Sequence, residues 1–390
     1  MPWRTSTVET ERARFVLEAQ LSDFSFAELC RRHRISRPTG YKWLGRYEQE
    51  GIDGLKDRSR RPRSCPHATP PDVVDRILEI RKRQGWGARK IQRIVELDPA
   101  VDPVPCVDTV HQVLKRHGLV EARKPRRRRT HPGPPLPIPD EPNATWTADF
   151  KGEFRTRDGK LCFPLTVQDG YTRFLLDCRG MLRLDIDHTM RRFRHLFRTH
   201  GLPQKIRTDN GHPFGSTAIA NISQLSVWWI SLGIWPEFIE PASPYQNGRH
   251  ERMHRTLKNK ATLPPSSSLR AQQIRFNTFR RVFNYERPHE AIGMLTPSDL
   301  YQPSERPFTD RPDPLQYPDH FELRPVSQDA TIRWNSRKVF VSSLLAQRHI
   351  GLEQVGDGVW SAYFGPLHLG WLDEYDYRIM DVKERSKRRR

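Results

Sequence analysis

The 390-residue chain contains no apolar run near the roughly 18 residues that a spanning helix requires, and its N-terminus has no signal-peptide core. A helical membrane protein is excluded, and a cytoplasmic location with reduced thiols is expected. Cysteine is scarce and unpatterned. Cys30, Cys65, Cys106, Cys162 and Cys178 form no CxxC pair, and only Cys30 with His33 and Cys65 with His67 lie close together, so neither a zinc module nor a disulfide framework is indicated. Acidic residues are outnumbered, 46 Asp and Glu against 66 Lys and Arg, giving a formal charge of +20 and a pI near 10.1. Such an excess implies a polyanionic partner. It is uneven, since residues 1–131 carry 29 basic against 17 acidic side chains, or +12 of the +20. With 36% apolar content and ten Trp the chain can still bury real cores, and its length suits two to four domains.

The basic N-terminal third reads as two helical modules. In the first, residues 1–62, patterning predicts helices over Ala13–Ala19, Phe26–His33 and Arg37–Gln49, a helix-turn-helix outline. Ser36 is placed to cap the third helix, Tyr41, Leu44 and Tyr47 to face inward, and Arg37, Thr39 and Lys42 to meet DNA in the major groove. Gly40 inside that helix costs about 1 kcal/mol relative to Ala, so it marks close packing or close approach of a partner. The second module, residues 63–123, has helices over Asp72–Gln84, Ala88–Leu97 and Val107–His117, stopped at Gly118, with Thr109, Gln112, Lys115 and Arg116 as candidate DNA contacts. Residues 124–142 form a Pro-rich, extended linker. Arg126, Arg127, Arg128 and Arg129 at its start would track phosphates and add a salt-dependent, sequence-independent term to binding.

Beyond the linker, three carboxylates stand in distinctive contexts. Asp149, in WTADFKGEF, lies in an alternating stretch with Thr147 and Lys151 on its side and Trp146, Ala148 and Phe150 opposite, the pattern of a half-buried strand. Asp209, in KIRTDNGHPF, follows a short strand-like run and precedes an Asn-Gly turn. Glu251, in SPYQNGRHERMHRTLK, opens a segment free of Pro and Gly, predicted helical, where Glu251, Arg255 and Lys258 share a face at i, i+4 and i+7. Hard divalent cations prefer oxygen ligands, and two of them can assist an in-line displacement at phosphorus. Taken singly, each acid has a plainer role, Asp209 as a turn former and Glu251 as a surface ion-pair partner. Their ordered occurrence on the right elements favours a site. Asp169, His250 and His254 stay outside this set: Asp169 reads as a turn residue, and the histidines as phosphate contacts, supporting groups or surface groups. Asn247 and Gly248 precede the Glu251 helix, where a flexible loop could approach scissile DNA.

The segment from Ala144 to Tyr301 resembles the integrase catalytic core of retroviral integrases and bacterial insertion-sequence transposases, on WTADF, TDNG, SPYQNGRHE and FNYERPHEAIGMLTPSDLY. Among insertion sequences it is similar to the four-eight-one family, through GYKWL and DRSRRP near the start and YFGPLHLG near the end. The resemblance implies a DDE transposase with an RNase H-like core, residues 143–305. Asp149, Asp209 and Glu251 would be catalytic and hold two Mg²⁺ (or Mn²⁺) ions, with Asn247, Arg255 and Lys258 at the DNA. Partners would be double-stranded DNA, both the element's terminal inverted repeats and the target, and a second copy of the chain. The location would be the bacterial cytoplasm, on the nucleoid. The 41 residues between Asp209 and Glu251 exceed the retroviral spacing, and the excess is assigned to a longer helix and loop over Gly215–Leu232. A regulator that kept its readers but lost catalysis, and a plain RNase H-like nuclease, are the competing classes.

Residues 306–320 read as a second linker. Alternating apolar and polar residues over 321–382, with turns at Asn335-Ser336 and Asp357-Gly358, predict a small antiparallel barrel whose aromatics serve as core. Residues 383–390 form a basic tail. The expected fold class is a multidomain α/β chain: tandem helix-turn-helix modules, an RNase H-like catalytic domain and a small C-terminal β-barrel.

Overall fold

The computed structural model describes residues 7–21, 24–59, 68–121, 136–240 and 243–381, and the chain divides into two compact units at Pro70 and Pro71. Arg126 to Arg129, Cys65 and the tail at 383–390 lie outside the described residues.

The first unit packs α1 (Val8–Leu21), α2 (Phe26–Arg32) and α3 (Arg37–Glu50) around Phe15, Val16, Leu29, Cys30, Trp43 and Leu55. Serine starts two of the helices: Ser25 accepts from the Glu28 N–H and Ser36 from the Thr39 N–H, using donors that a helix start leaves unpaired. Gly40 is required by contact, because a Cβ there would lie 2.8 Å from Cys30 Sγ and 2.9 Å from Phe26 Cζ. That contact sets the rotation of α3. Trp43 turns inward, Leu44 and Tyr47 pack partly against the core, and Tyr41, expected inside, is 61% exposed and stacks on Phe26 at 4.1 Å.

The second unit opens with α4 (Pro71–Gln84), α5 (Ala88–Glu96) and α6 (Val107–Arg116), whose apolar stripes meet around Val73, Ile77, Ile80, Trp86, Ile91, Val110 and Leu114. Gly118, at φ +67°, follows the α6 C-cap and supplies the left-handed turn.

The sheet that follows comprises β1 (Thr145–Phe150), β2 (Phe154–Arg155), β3 (Leu161–Asp169), β4 (Leu175–Met181), β5 (Lys205–Thr208) and β6 (Trp235–Phe238). Antiparallel β4, β3 and β1 lead into β5 and β6, which run parallel to β1, making a mixed sheet. Alternation along β1 assigns its two faces. Trp146 and Ala148 join Phe193, Phe197 and Trp229 under α7 (Ile186–His200) and α8 (Gln224–Ser231). On the opposite face Met253 and Leu257 of α9 (Gly248–Leu257) and Phe276, Phe279 and Phe283 of α10 (Leu269–Tyr285) pack on Cys162, Leu175 and Cys178, before the short α11 (Pro297–Leu300). Helices α4 to α6 are tied to this layer: Lys90 Nζ donates to the Pro288 carbonyl and Arg89 lies 3.9 Å from Glu290.

Strands β7 (Glu322–Pro325), β8 (Thr331–Trp334), β9 (Arg337–Phe340), β10 (His349–Gly356), β11 (Val359–Phe364), β12 (Leu367–Asp373) and β13 (Arg378–Met380) complete the chain. The expected barrel is corrected. Among the described residues the pairing β13-β12-β11-β10-β7 is an open antiparallel sheet, and β8 pairs only with β9 through the left-handed Asn335 and Ser336. This hairpin lies against β7 and β13 by packing, over a core of Ile332, Trp334, Val339, Ile350, Leu352 and Phe364. Alternation specifies which face is buried but not which strand edges pair, so closure was not readable from it.

The extra length before Glu251 holds a short 3₁₀ turn and the eight-residue α8 rather than a longer helix. Its Ile222, Val227 and Ile230 enter the core of the C-terminal sheet, while Leu225 and Trp229 enter that of the central sheet. The Arg348 guanidinium donates to Ser231 Oγ at 2.8 Å across the same seam. The insertion therefore fastens one core to the other.

Candidate active site

Neighbouring parallel strands bring the first two acids together. β1 and β5 pair in register from Thr145 with Lys205 to Thr147 with Arg207, so Asp149 and Asp209 emerge from the same end of the sheet. The Asp209 turn is locked by its own residues: Gly211 N–H donates to Asp209 Oδ1 at 3.2 Å and Asn210 Nδ2 donates to the Ile239 carbonyl at 2.7 Å. Glu251 sits in the first turn of α9, exposed, because the opposite stripe of the helix is spent on His250, Met253, His254 and Leu257.

Asp149 is the pivot of the site. A cleft of about 430 Å³ has Asp149, Glu251 and His254 on its wall beside Lys151, Arg255 and Lys258, and an adjoining one of about 290 Å³ has Asp149 with Asp209 and His212. Burial pushes the Asp149 carboxyl from 3.8 up to about 7, and the negative charges of Asp209 and Glu251 push the same way. Asp149 thus lies on two adjoining clefts, one shared with Glu251 and one with Asp209, in a field that disfavours its ionisation unless a cation enters. The donor set, carboxylate oxygens beside cationic side chains, suits a hard divalent ion with phosphate as co-ligand.

Beneath the acids lies a polar chain that the sequence reading left unassigned. His250 is fully buried, with Nδ1 2.8 Å from Thr147 Oγ1 and Nε2 2.7 Å from Thr166 Oγ1. His254 is 6% exposed, its Nε2 2.7 Å from the same Thr166 oxygen and its Nδ1 3.6 Å from Asp149 Oδ2. Burial lowers both imidazoles, His250 to about 3 and His254 to about 2, so both are neutral at physiological pH. Their signal was present in the sequence: 250, 253, 254 and 257 form the inward stripe of a helix whose outward face carries Glu251.

Asp169 is a turn residue, buried and saturated by the Thr172 N–H, the Thr172 hydroxyl and the Asn143 N–H at 2.7 to 2.8 Å. Arg255 and Lys258 are exposed on the Glu251 face of the cleft. Asn247 is 6% exposed and lines a separate small cavity with Thr147 and Gln168. Arg37, Lys42, Gln112, Lys115 and Arg116 are exposed on their helices. Thr39 and Thr109 are half-buried, their hydroxyls turned to Ser36 Oγ at 2.9 Å and Cys106 Sγ at 3.2 Å. No helix among the described residues is long and apolar enough to cross a membrane.

Three families match parts of the chain: a helix-turn-helix domain over residues 11–63, a homeodomain-like domain over 39–114 and the integrase core domain over 232–297, the stretch that contains Glu251. A 31.7 kDa protein of insertion element IS407 from Burkholderia multivorans is 25% identical over 248 residues, 59% of this chain and 82% of that protein. A 39.2 kDa protein of insertion element IS476 from Xanthomonas euvesicatoria is 28% identical over 162 residues, 41% and 44% of the two chains. Among solved structures, the HTLV-2 integrase catalytic core domain in complex with magnesium aligns at 17% identity and TM-score 0.34 over 42% of this chain and 99% of that one. The simian T-cell lymphotropic virus intasome with the PP2A regulatory subunit B56 gamma aligns at 17% and 0.38 over 75% and 97%. The chain thus joins helix-turn-helix modules to an integrase core domain and has homologues among insertion-element proteins, a make-up consistent with a DDE transposase.

Proposed function

We propose that the protein is the transposase of a bacterial insertion element, which binds the element's ends, frees their 3′-OH groups and joins them to target DNA. The observation that carries this is the place of Asp149 on two adjoining clefts, one shared with Glu251 and edged by Lys151, Arg255 and Lys258, the other shared with Asp209. Asp149, Asp209 and Glu251 would hold two Mg²⁺ ions, which when bound supply activation of the attacking oxygen and charge neutralisation at the leaving one. Lys151, Arg255 and Lys258 take the flanking phosphates and set the strand across the acids. Water is the first nucleophile, at the element end, and the released 3′-hydroxyl is the second, at target DNA. In each displacement one P–O bond forms as another breaks: the first leaves a 5′-phosphate and the 3′-OH, the second a new phosphodiester and a target 3′-OH, and neither needs a protein nucleophile.

Arg37, Thr39 and Lys42 on α3, and Thr109, Gln112, Lys115 and Arg116 on α6, are the proposed base and backbone contacts of two tandem readers. Arg126 to Arg129 add sequence-independent phosphate binding, and Asn247 supports the loop that leads into α9. Joining two ends in one event requires at least a dimer on DNA, in the bacterial cytoplasm, associated with the nucleoid. The test is Mg²⁺-dependent release of a new 3′-OH from labelled duplexes made of the DNA that flanks the coding sequence. Release by the wild type and not by Asp209→Asn, with end binding retained in both, supports the reading; release by Asp209→Asn overturns it.

A further inference from the structure

The hydrogen bonds around Thr166 determine which nitrogen of His254 is left over. Thr166 Oγ1 has one proton and three partners, the Asp149 carbonyl oxygen at 3.0 Å and the Nε2 atoms of His250 and His254 at 2.7 Å each. A carbonyl oxygen only accepts, so the Thr166 hydroxyl donates to it, and both Nε2 atoms carry hydrogen and donate to the Thr166 oxygen. Both imidazoles therefore present a bare Nδ1. That of His250 faces the Thr147 hydroxyl, which has two acceptors in reach and donates to the nearer, His250 Nδ1 at 2.8 Å, rather than to the Gln168 carbonyl at 3.2 Å. That of His254 faces Asp149 Oδ2 at 3.6 Å, beyond hydrogen-bond reach, on the wall of the cleft that also carries Glu251.

Two lone-pair-bearing atoms that face each other with no proton between them suit a shared cation. Neighbouring ligands of a first-row divalent ion, each at about 2.0–2.2 Å, lie about 3.0–3.6 Å apart, close to the separation seen here. His250 cannot serve in the same way, since both of its nitrogens are occupied. We propose that His254 Nδ1 is a nitrogen ligand of the divalent ion held between Asp149 and Glu251, with Thr147, His250 and Thr166 fixing the tautomer that exposes it. The inference rests on the reading of the acids as a metal site. It gives that site a chemical preference: an imidazole nitrogen favours the later first-row transition-metal ions over Mg²⁺ and Ca²⁺, whereas an all-carboxylate site lacks that bias. A ring held by a hydrogen bond on its far nitrogen is also the usual way a protein orients a ligating histidine.

The full-length protein loaded with Mn²⁺ and measured by pulsed electron paramagnetic resonance tests the assignment without reference to activity. The wild type should show ¹⁴N coupling that is replaced by ¹⁵N coupling when its histidines are ¹⁵N-labelled, a comparison that needs no variant. His254→Gln should abolish the coupling and weaken Mn²⁺ binding roughly tenfold or more, by analogy with losses at ligand-supporting positions. His212→Gln, which alters the imidazole on the adjoining cleft, should leave the coupling in place. Mn²⁺ that is displaced by Asp149→Asn but shows no nitrogen coupling would overturn this inference and leave the acid site standing. Mn²⁺ that fails to bind, or binds regardless of Asp149→Asn, would overturn both.

Discussion

Replacing Asp149 by Asn should stabilise the metal-free protein at alkaline pH. The folded carboxyl titrates at about 7 against an ordinary 3.8, chiefly through burial and then through Asp209 and Glu251. Because the folded state binds this proton more tightly than the unfolded one, the penalty is absent below about pH 4, grows through the interval and is complete above about pH 7. A difference of about 3, at roughly 1.4 kcal/mol per pH unit, sets a ceiling near 4 kcal/mol. The Asn amide stays partly buried and returns about 1–2 kcal/mol of that. The expected net gain is about 1–3 kcal/mol, a rise in Tm of roughly 2–8 °C for a unit of this size. Thermal melts of the two proteins in EDTA at pH 5 and pH 8 read the effect, and their difference isolates Asp149 because the buried histidines are common to both. The variant should melt higher at pH 8, the gap should shrink at pH 5, and Mg²⁺ should raise the wild type alone. A variant that melts below wild type at pH 8 in EDTA would refute the reasoning.

Gly40→Ala should destabilise the first unit by about 1–2 kcal/mol, since overpacking against Cys30, Phe26 and Phe15 outweighs the gain in helix propensity; an unchanged denaturation midpoint for that unit would contradict the packing. Ile230→Ala, which removes a side chain 1% exposed in the core shared by α8 and the C-terminal sheet, should cost about 2–4 kcal/mol. Limited proteolysis between residues 305 and 318 should accelerate in that variant, and an unchanged cleavage rate would sink the fastening role. Changing Arg126, Arg127, Arg128 and Arg129 together to Gln should lower the slope of log K against log salt by roughly 3 to 4 while leaving sequence preference intact, measured by fluorescence anisotropy on end and random duplexes. A slope unaltered by the change would remove these residues from the contact.

Local features were legible and long-range pairings were not. The Ser36 cap and the α4 stripe each depend on residues within a few positions of one another, whereas at Gly40 only the residue type, a glycine inside a helix, marked a close contact whose partners Cys30, Phe26 and Phe15 lie on other helices. The elements that carry Asp149, Asp209 and Glu251 were legible because each residue stands near the end of a strand or the start of a helix, and the β1–β5 pairing brings two of them to the same edge. The His250 and His254 chain depends on Thr147 and Thr166, which reach α9 from 84 to 103 residues away, so only its inward stripe could be seen in the sequence. Tyr41 was misplaced because the steric demand of Gly40, rather than hydrophobicity, sets the rotation of α3. The role of residues 215–232 became visible only once the C-terminal sheet was packed on Ile222, Val227 and Ile230.

The central claim is that Asp149, Asp209 and Glu251 act as one phosphoryl-transfer site on DNA. Its most direct test is strand joining by purified protein with Mg²⁺, supplied with pre-cut end duplexes and a supercoiled target, comparing the wild type with Glu251→Gln at equal end binding. The account predicts joined products from the wild type and a loss of at least 100-fold, on the order of one lost charge-stabilising group, from the variant. Joining by Glu251→Gln at the wild-type rate would contradict it.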